Sequence, residues 1–326
     1  MSQRLKTALK LLFTFALLAI VLSQLDLEKF SETLSSMKPT WVLLAFSLQL
    51  LTVFPAVQRW RLILRNFEVR MSFVPLLKLA FIGSFFNLFL PTGIGGDFVR
   101  AFYLSRDVGR GISSILTTIL LERSGGLCAL LLIGTISSAL SDLEVSGIPA
   151  VYLFLILLVG YTLINLLLFL PWIHTQIDLR LKRWKFDSIA AQMEMIYQGL
   201  QTLRRDGRTL GGSLLLSLIV QFNSILVMWL LAQAIGITSS FSTFLIFIPL
   251  INLTLMIPLA ISGFGLREGA YYLLFSQVGL PAEMSITLSL MSYLVLLLAG
   301  FPGALFYTLH KKEQHFTKFS IRAEAP

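Results

Sequence analysis

Charge is scarce in this chain. Asp, Glu, Lys and Arg make up 13% of its 326 residues, where a soluble domain carries about 25%. A water-facing surface needs those charges, so a soluble globular fold is excluded. Cysteine is scarcer still, with Cys128 alone inside an apolar run. One cysteine can form neither a disulfide within the chain nor a thiolate metal site, and Cys128 reads as a small hydrophobe. The histidines are His174, His310 and His315. None lies beside another candidate ligand within a span, so no metal site is expected. There is no nucleophile elbow, no Ser-His-Asp constellation and no Asp-rich motif for diphosphate. No cofactor is expected.

What is present is apolar sequence, at 56% of residues. A membrane span needs about 20 mostly apolar residues. Candidate segments are 7–24, 41–57, 74–90, 113–139, 149–171, 210–236, 241–261 and 283–309. The first follows Arg4, Lys6 and Lys10, as in a signal peptide. No small-x-small cleavage site follows it, so an uncleaved first span is expected. The net charge of +9 suits basic loops on one face of a membrane better than nucleic-acid binding. No nucleic-acid partner is expected.

The basic residues test the span count. If all eight segments cross, the loop with Arg180, Lys182, Arg183, Lys185, Arg204, Arg205 and Arg208 lies opposite the N-terminus. So does the loop with Arg100, Arg106 and Arg110. That violates the positive-inside rule. If 74–90 and 241–261 instead turn back as re-entrant hairpins, both loops join the N-terminal face. Only Lys29, Lys38 and Arg267 then lie outside, with Arg123 within a span. In that count Arg59, Arg61 and Arg65 belong to a cytoplasmic loop after 41–57.

The expected fold is therefore an all-α polytopic membrane protein with six full spans and two re-entrant hairpins. Three crossings per half make it an inverted-topology repeat. The expected unit is one transmembrane domain over 1–310, with half-repeats near 7–139 and 149–309. A basic cytoplasmic tail covers 311–326. The expected location is the cytoplasmic membrane, with both termini on the cytoplasmic side. Between the halves, 186–206 has helical amphipathic spacing through Ala190, Met193, Ile196, Tyr197 and Leu200. It reads either as a helix on the inner leaflet or as one packed beneath the bundle.

Both hairpin segments end in similar motifs. The first carries Asn87, Pro91, Gly93, Gly95, Gly96, Asp97 and Arg100. The second carries Asn252, Pro258, Gly263, Gly265, Arg267 and Glu268. Each reads as an apolar helix broken at a proline, a glycine turn, then an arginine and a carboxylate. Interrupted segments at matching places in two halves point to a transporter's binding site. Asp97 with Arg100, and Arg267 with Glu268, read also as self-neutralising ion pairs. Asn87 and Asn252 stand ready to tie off backbone groups freed at the breaks, or to contact substrate. Glu122 and Arg123 form a third intramembrane pair. The glycine run at 93–96 lacks the Lys-Ser/Thr of a phosphate loop. A helix end at membrane depth would still favour an anion, with Arg100 or Arg267 beside it.

Gln58, Arg59, Trp60, Arg61 and Leu64, the stretch 87–100, Leu121 to Arg123, and 262–270 together resemble the transmembrane-region family of lysylphosphatidylglycerol synthases, the flippase-like proteins. The resemblance covers about 8–310, with Asp97 where the family more often has Glu. Some members carry a soluble aminoacyl-transferase domain, which does not follow within these 326 residues. The resemblance therefore implies only the flippase-like half. The expected function is translocation of an anionic, aminoacylated or prenyl-phosphate lipid across the cytoplasmic membrane. The expected partners are that phospholipid or polyprenyl-phosphate substrate, the membrane, and a soluble or membrane enzyme. The alternative is an integral-membrane transferase or an accessory subunit acting on lipid headgroups.

Overall fold

The computed structural model describes residues 27–89, 95–184, 186–256 and 263–309. The 7–24 segment, Pro91, Gly93, Pro258 and the 311–326 tail lie outside them. The described chain is almost entirely helical. Helix α1 is Leu27–Ser35, α2 Pro39–Asn66, α3 Phe73–Phe89, α4 Gly95–Val108 and α5 Ile112–Ala139. Next comes a β-ribbon, β1 Glu144–Val145 with β2 Ile148–Pro149. Then follow α6 Ala150–Phe169, α7 Pro171–Arg183, α8 Asp187–Arg205 and α9 Gly207–Ala234. The chain closes with α10 Phe241–Leu255, α11 Leu266–Phe275 and α12 Ala282–Gly300. The helix of α12 runs on to Leu309 after a turn at Phe301.

Among the described residues, five helices are long and apolar enough to cross a membrane: Pro39–Asn66, Ile112–Ala139, Ala150–Leu168, Gly207–Ala234 and Ala282–Leu309. This is a multi-pass all-α membrane protein. Burial ranks the spans. Only 6% of the apolar window in α6 is covered by protein, against 56% in α12. Helix α6 is therefore a peripheral helix for lipid to coat, and α12 a central one.

The first span boundary needs correction. The apolar run ends near residue 57, but α2 continues through Pro55 to Asn66. A proline inside a transmembrane helix is tolerated when neighbouring groups satisfy the backbone it frees. Arg59 is consequently not a loop residue. It is buried at 8% exposure within the helix.

Helices α3 and α4 form a tight antiparallel pair. Asn87 bonds to Gly96, and Gly83 lies against both Gly96 and Arg100, so the contacts step in opposite directions along the two helices. A Cβ on Gly96 would sit 1.8 Å from the Gly83 carbonyl oxygen. Helices α10 and α11 fold back likewise. Phe275 meets both Phe244 and Phe247 at 5.2 Å, and Gly263 abuts Leu255. Gly263 and Gly265 have φ of +76° and +78°, a region only glycine enters without strain.

The α3–α4 pair is held to the last helix by close packing. A Cβ on Gly303 would lie 2.1 Å from the Phe81 carbonyl oxygen. Beside it Phe81 packs on Phe306, and Phe86 on Tyr307.

The segment between α6 and α9 forms two helices, α7 and α8. Pro171 at the first turn starts α7, where its missing N–H costs nothing. Within 186–206, one face of α8 packs on protein. Gly199 is pressed on Phe67 and Thr117, Ala190 is 3% exposed, and Tyr197 stacks on His174 at 4.0 Å. Asp206 then caps α9, accepting from the Thr209 backbone at 3.2 Å and its hydroxyl at 2.6 Å. Those bonds hold its carboxyl below the ordinary aspartate range.

Gly303→Ala and Gly96→Ala each push a methyl into backbone that cannot yield by a rotamer change. Each should cost more than about 2 kcal/mol, read as a lowered melting temperature in detergent. Gly160, with open space around it, supplies the control. Gly160→Ala should be neutral or stabilising by up to about 1 kcal/mol.

Candidate functional site

Three elements place five charges in one chain of contacts. Arg59 comes from α2, Asp97 and Arg100 from α4, and Glu122 and Arg123 from α5. Arg59 Nη2 donates to Glu122 Oε1 at 2.7 Å. Arg100 Nη2 donates to the other oxygen, Oε2, at 2.9 Å. The same Nη2 lies 3.0 Å from Asp97 Oδ1. Arg123 Nε donates to Asp97 Oδ2 at 2.6 Å. The order is Arg59, Glu122, Arg100, Asp97, Arg123, so each carboxylate sits between two guanidiniums.

Neutral side chains fix this order. Arg59 Nη1 donates to Ser217 Oγ of α9 at 3.1 Å, and Ser217 donates onward to the Ser213 carbonyl. The Arg100 guanidinium lies over the Trp60 ring at 4.6 Å from its centroid. Trp60 is held from behind, its Nε1 donating to Thr118 Oγ1 at 3.0 Å. Gln221 of α9 donates to the Gly126 carbonyl of α5, tying the two helices beside the chain.

The start of α4 is set by Asn87. Its Oδ1 accepts from the Gly96 N–H at 2.9 Å, satisfying one of the donors a helix leaves open at its start. The side chain thus ties off backbone at the break, one of the two roles expected of it. Asp97 follows in the first turn, where the helix dipole favours a carboxylate.

The network has a closed and an open end. Side-chain exposure is 9% at Arg59, 6% at Glu122, 12% at Arg100 and 11% at Asp97, then 38% at Arg123. Among the described residues, the three arginines of this network face two carboxylates, a formal excess of one positive charge. An anion reaching the Arg123 end would meet that excess.

The second motif does not repeat the geometry. Glu268 is 2% exposed and accepts from the Gly265 N–H at 2.6 Å and the Ser289 hydroxyl at 3.3 Å. It closes the α11 turn as the third residue of a capping box does. The Arg267 guanidinium lies over the Tyr293 ring at 5.0 Å, and Tyr293 meets Phe264 at 4.9 Å. Asn252 is half-buried near the end of α10. Asn87, Asp97, Arg100, Glu122 and Arg123 are therefore brought together, while Asn252 lies in α10 and Arg267 and Glu268 in α11.

Arg59, Trp60 and Ser217 were not among the expected site residues. A signal for the first two was present. Val57, Trp60 and Leu64 continue a helical apolar face past the point where hydropathy falls. Nothing in the sequence singles out Ser217.

The sequence profile of the lysylphosphatidylglycerol synthase TM region matches residues 7–303. The chain belongs to this family. A UPF0104 membrane protein of Methanocaldococcus jannaschii is 28% identical over 121 residues. That match covers 36% of this chain and 35% of the relative, so the comparison spans about a third of each. Within this family member, the α2–α4–α5 network is the largest assembly of buried paired charge among the described residues.

Removing one member of a buried pair strands its partners. Glu122→Ala leaves Arg59 and Arg100 without their shared carboxylate and should cost about 3–5 kcal/mol. Replacing both Arg59 and Glu122 by Met should cost less than Glu122→Ala alone. Thermal unfolding in detergent compares them, and the reverse order would contradict a charge-compensating role.

Proposed function

We propose that this protein moves a lipid with an anionic headgroup across a cytoplasmic membrane. The headgroup is held at the arginine–carboxylate network while its chains stay in the bilayer. The observation that carries the reading is the excess positive charge of that network, ending at the partly exposed Arg123. Intramembrane charge is costly and usually marks a substrate or ion path. The family assignment agrees with a lipid context.

In this reading 1–310 is one domain with half-repeats near 7–139 and 149–309. It has six spans, counting 7–24, and two re-entrant hairpins that open to opposite faces. The 17 residues of α3 and 15 of α10 support this. At 1.5 Å per residue they reach only about 26 Å and about 22 Å, short of the roughly 30 Å hydrocarbon core. Each is followed by a helix that packs back against it. Both termini lie in the cytoplasm. Asn252, Arg267 and Glu268 form the gate facing the first hairpin.

Two experiments test the reading. After replacing Cys128, single cysteines across 92–110 should react with an impermeant reagent from the cytoplasmic face only. Those across 262–282 should react from the outer face only. Both loops labelling from one face would sink the inverted arrangement. In proteoliposomes, Arg123→Ala should slow headgroup flipping about tenfold or more, the worth of a charge-assisted bond. Equal rates for wild type and variant would remove the network from transport. A modified headgroup formed in detergent, without a sealed compartment, would point to a transferase instead.

A further inference from the structure

Glu122 presents both oxygens to guanidiniums from two different helices, at 2.7 and 2.9 Å. Two arginines closing on one anionic group is the geometry that also clamps a phosphate. The clamp holds more donors than the carboxylates fill. Arg59 Nε and Arg100 Nε are both buried and find no acceptor among the described residues. A carboxylate offers two oxygens, whereas a terminal phosphate offers three. Buried donors without acceptors are costly, so the clamp suits an anion larger than the one it holds.

Charge then fixes the form of that anion. The charged groups on Glu122 are Arg59 from α2 and Arg100 from α4; Arg100 also contacts Asp97 of α4, which contacts Arg123 of α5. From α9 comes the neutral Ser217, through Arg59. With both carboxylates ionised, the cluster carries one positive charge. An anion that displaced an ionised Glu122 would leave a buried carboxylate without compensation, which is strongly destabilising. Displacement is tolerable when Glu122 takes a proton as it leaves the arginines. The cluster then carries two positive charges, and a dianion neutralises it. A phosphodiester carries one negative charge and a terminal phosphate carries two above its second pKa near 6.

We propose that Glu122 stands in the place of the substrate's phosphate, and that a terminal phosphate, a phosphomonoester headgroup, displaces it with uptake of one proton on Glu122. This rests on the transport reading and names its substrate class and coupling ion. The proton comes from solvent and bonds to a Glu122 oxygen as that oxygen gives up its arginine. No covalent bond of the lipid changes.

The test uses the purified full-length chain in detergent with three probes: short-chain phosphatidic acid, phosphatidylglycerol and inorganic phosphate. At about pH 8.5 the terminal phosphate is already dianionic, so any proton taken up belongs to the protein. Calorimetry in buffers of different ionisation heat should count one proton taken up per phosphatidic acid bound. Affinity should fall about tenfold per pH unit between about pH 7.5 and 9. Glu122→Gln should bind phosphatidic acid at least as tightly, with no proton uptake and a flat pH profile. Its melting temperature, lowered without ligand, should rise on adding phosphatidic acid.

Phosphatidic acid binding with no proton uptake by the wild type would overturn the inference without any variant. So would tighter binding of phosphatidylglycerol. Inorganic phosphate binding as tightly as phosphatidic acid, with the same uptake, would make the ligand soluble phosphate and overturn the lipid assignment. Flipping of some lipid together with any of these results leaves the transport reading standing and removes this one. Absence of flipping for every lipid, with proton-coupled phosphate binding intact, removes transport and leaves the site.

Discussion

An arginine buried in a membrane helix has to find an anion. That constraint organises the described half of this protein from which the site is built. Arg59 continues a helix that hydropathy alone would have ended, because Glu122 of α5 meets it across the interior. Glu122 in turn fixes Arg100, and Arg100 places Asp97 beside Arg123. Helices α2, α4 and α5 are thereby held in register by charge, where hydrophobic driving force between helices is absent. The apolar residues around them, from Trp60 to Leu104, Ile115 and Ile119, then fill the remaining volume.

Close backbone contact makes that arrangement reachable. Gly96 lies directly on the Gly83 carbonyl, so α4 returns along α3 without a side chain between them. Asn87 completes the turn through the Gly96 N–H. The pair is in turn seated on α12, where Gly300 and Gly303 admit Leu88, Phe85 and Phe81. The charged chain thus rests on a helix pair clamped from one side by the last span. Its most exposed member is Arg123.

The two glycine motifs illustrate how far a sequence pattern can be trusted. Both contain an arginine and a carboxylate beside a turn, and both read as ion pairs. In the first, the pair forms but is only the middle of a longer chain. In the second, Glu268 serves the backbone of its own turn and Ser289, while Arg267 faces an aromatic ring. The difference lies in spacing. Asp97 precedes Arg100 by three residues, which puts both on one helix face. Arg267 and Glu268 are adjacent, so they point apart, and Glu268 falls at the position that can reach back to the helix start.

The sequence by itself determined the membrane class, the family, the positions of most long apolar helices to within a few residues, and which charges had to be accounted for. Those follow from local quantities: the run length of apolar residues, the scarcity of charge and the placement of proline and glycine. Tertiary structure alone decided which charges meet. Arg59 and Glu122 are separated by 63 positions, and Ser217 joins them from 158 positions beyond Arg59. No spacing rule reaches across such separations, because the partner of a buried charge is chosen by how the helices pack. The same holds for α8, whose amphipathic pattern fits a membrane surface and a protein surface equally. Its packing on protein comes from the fit of Gly199 against Phe67 and Thr117.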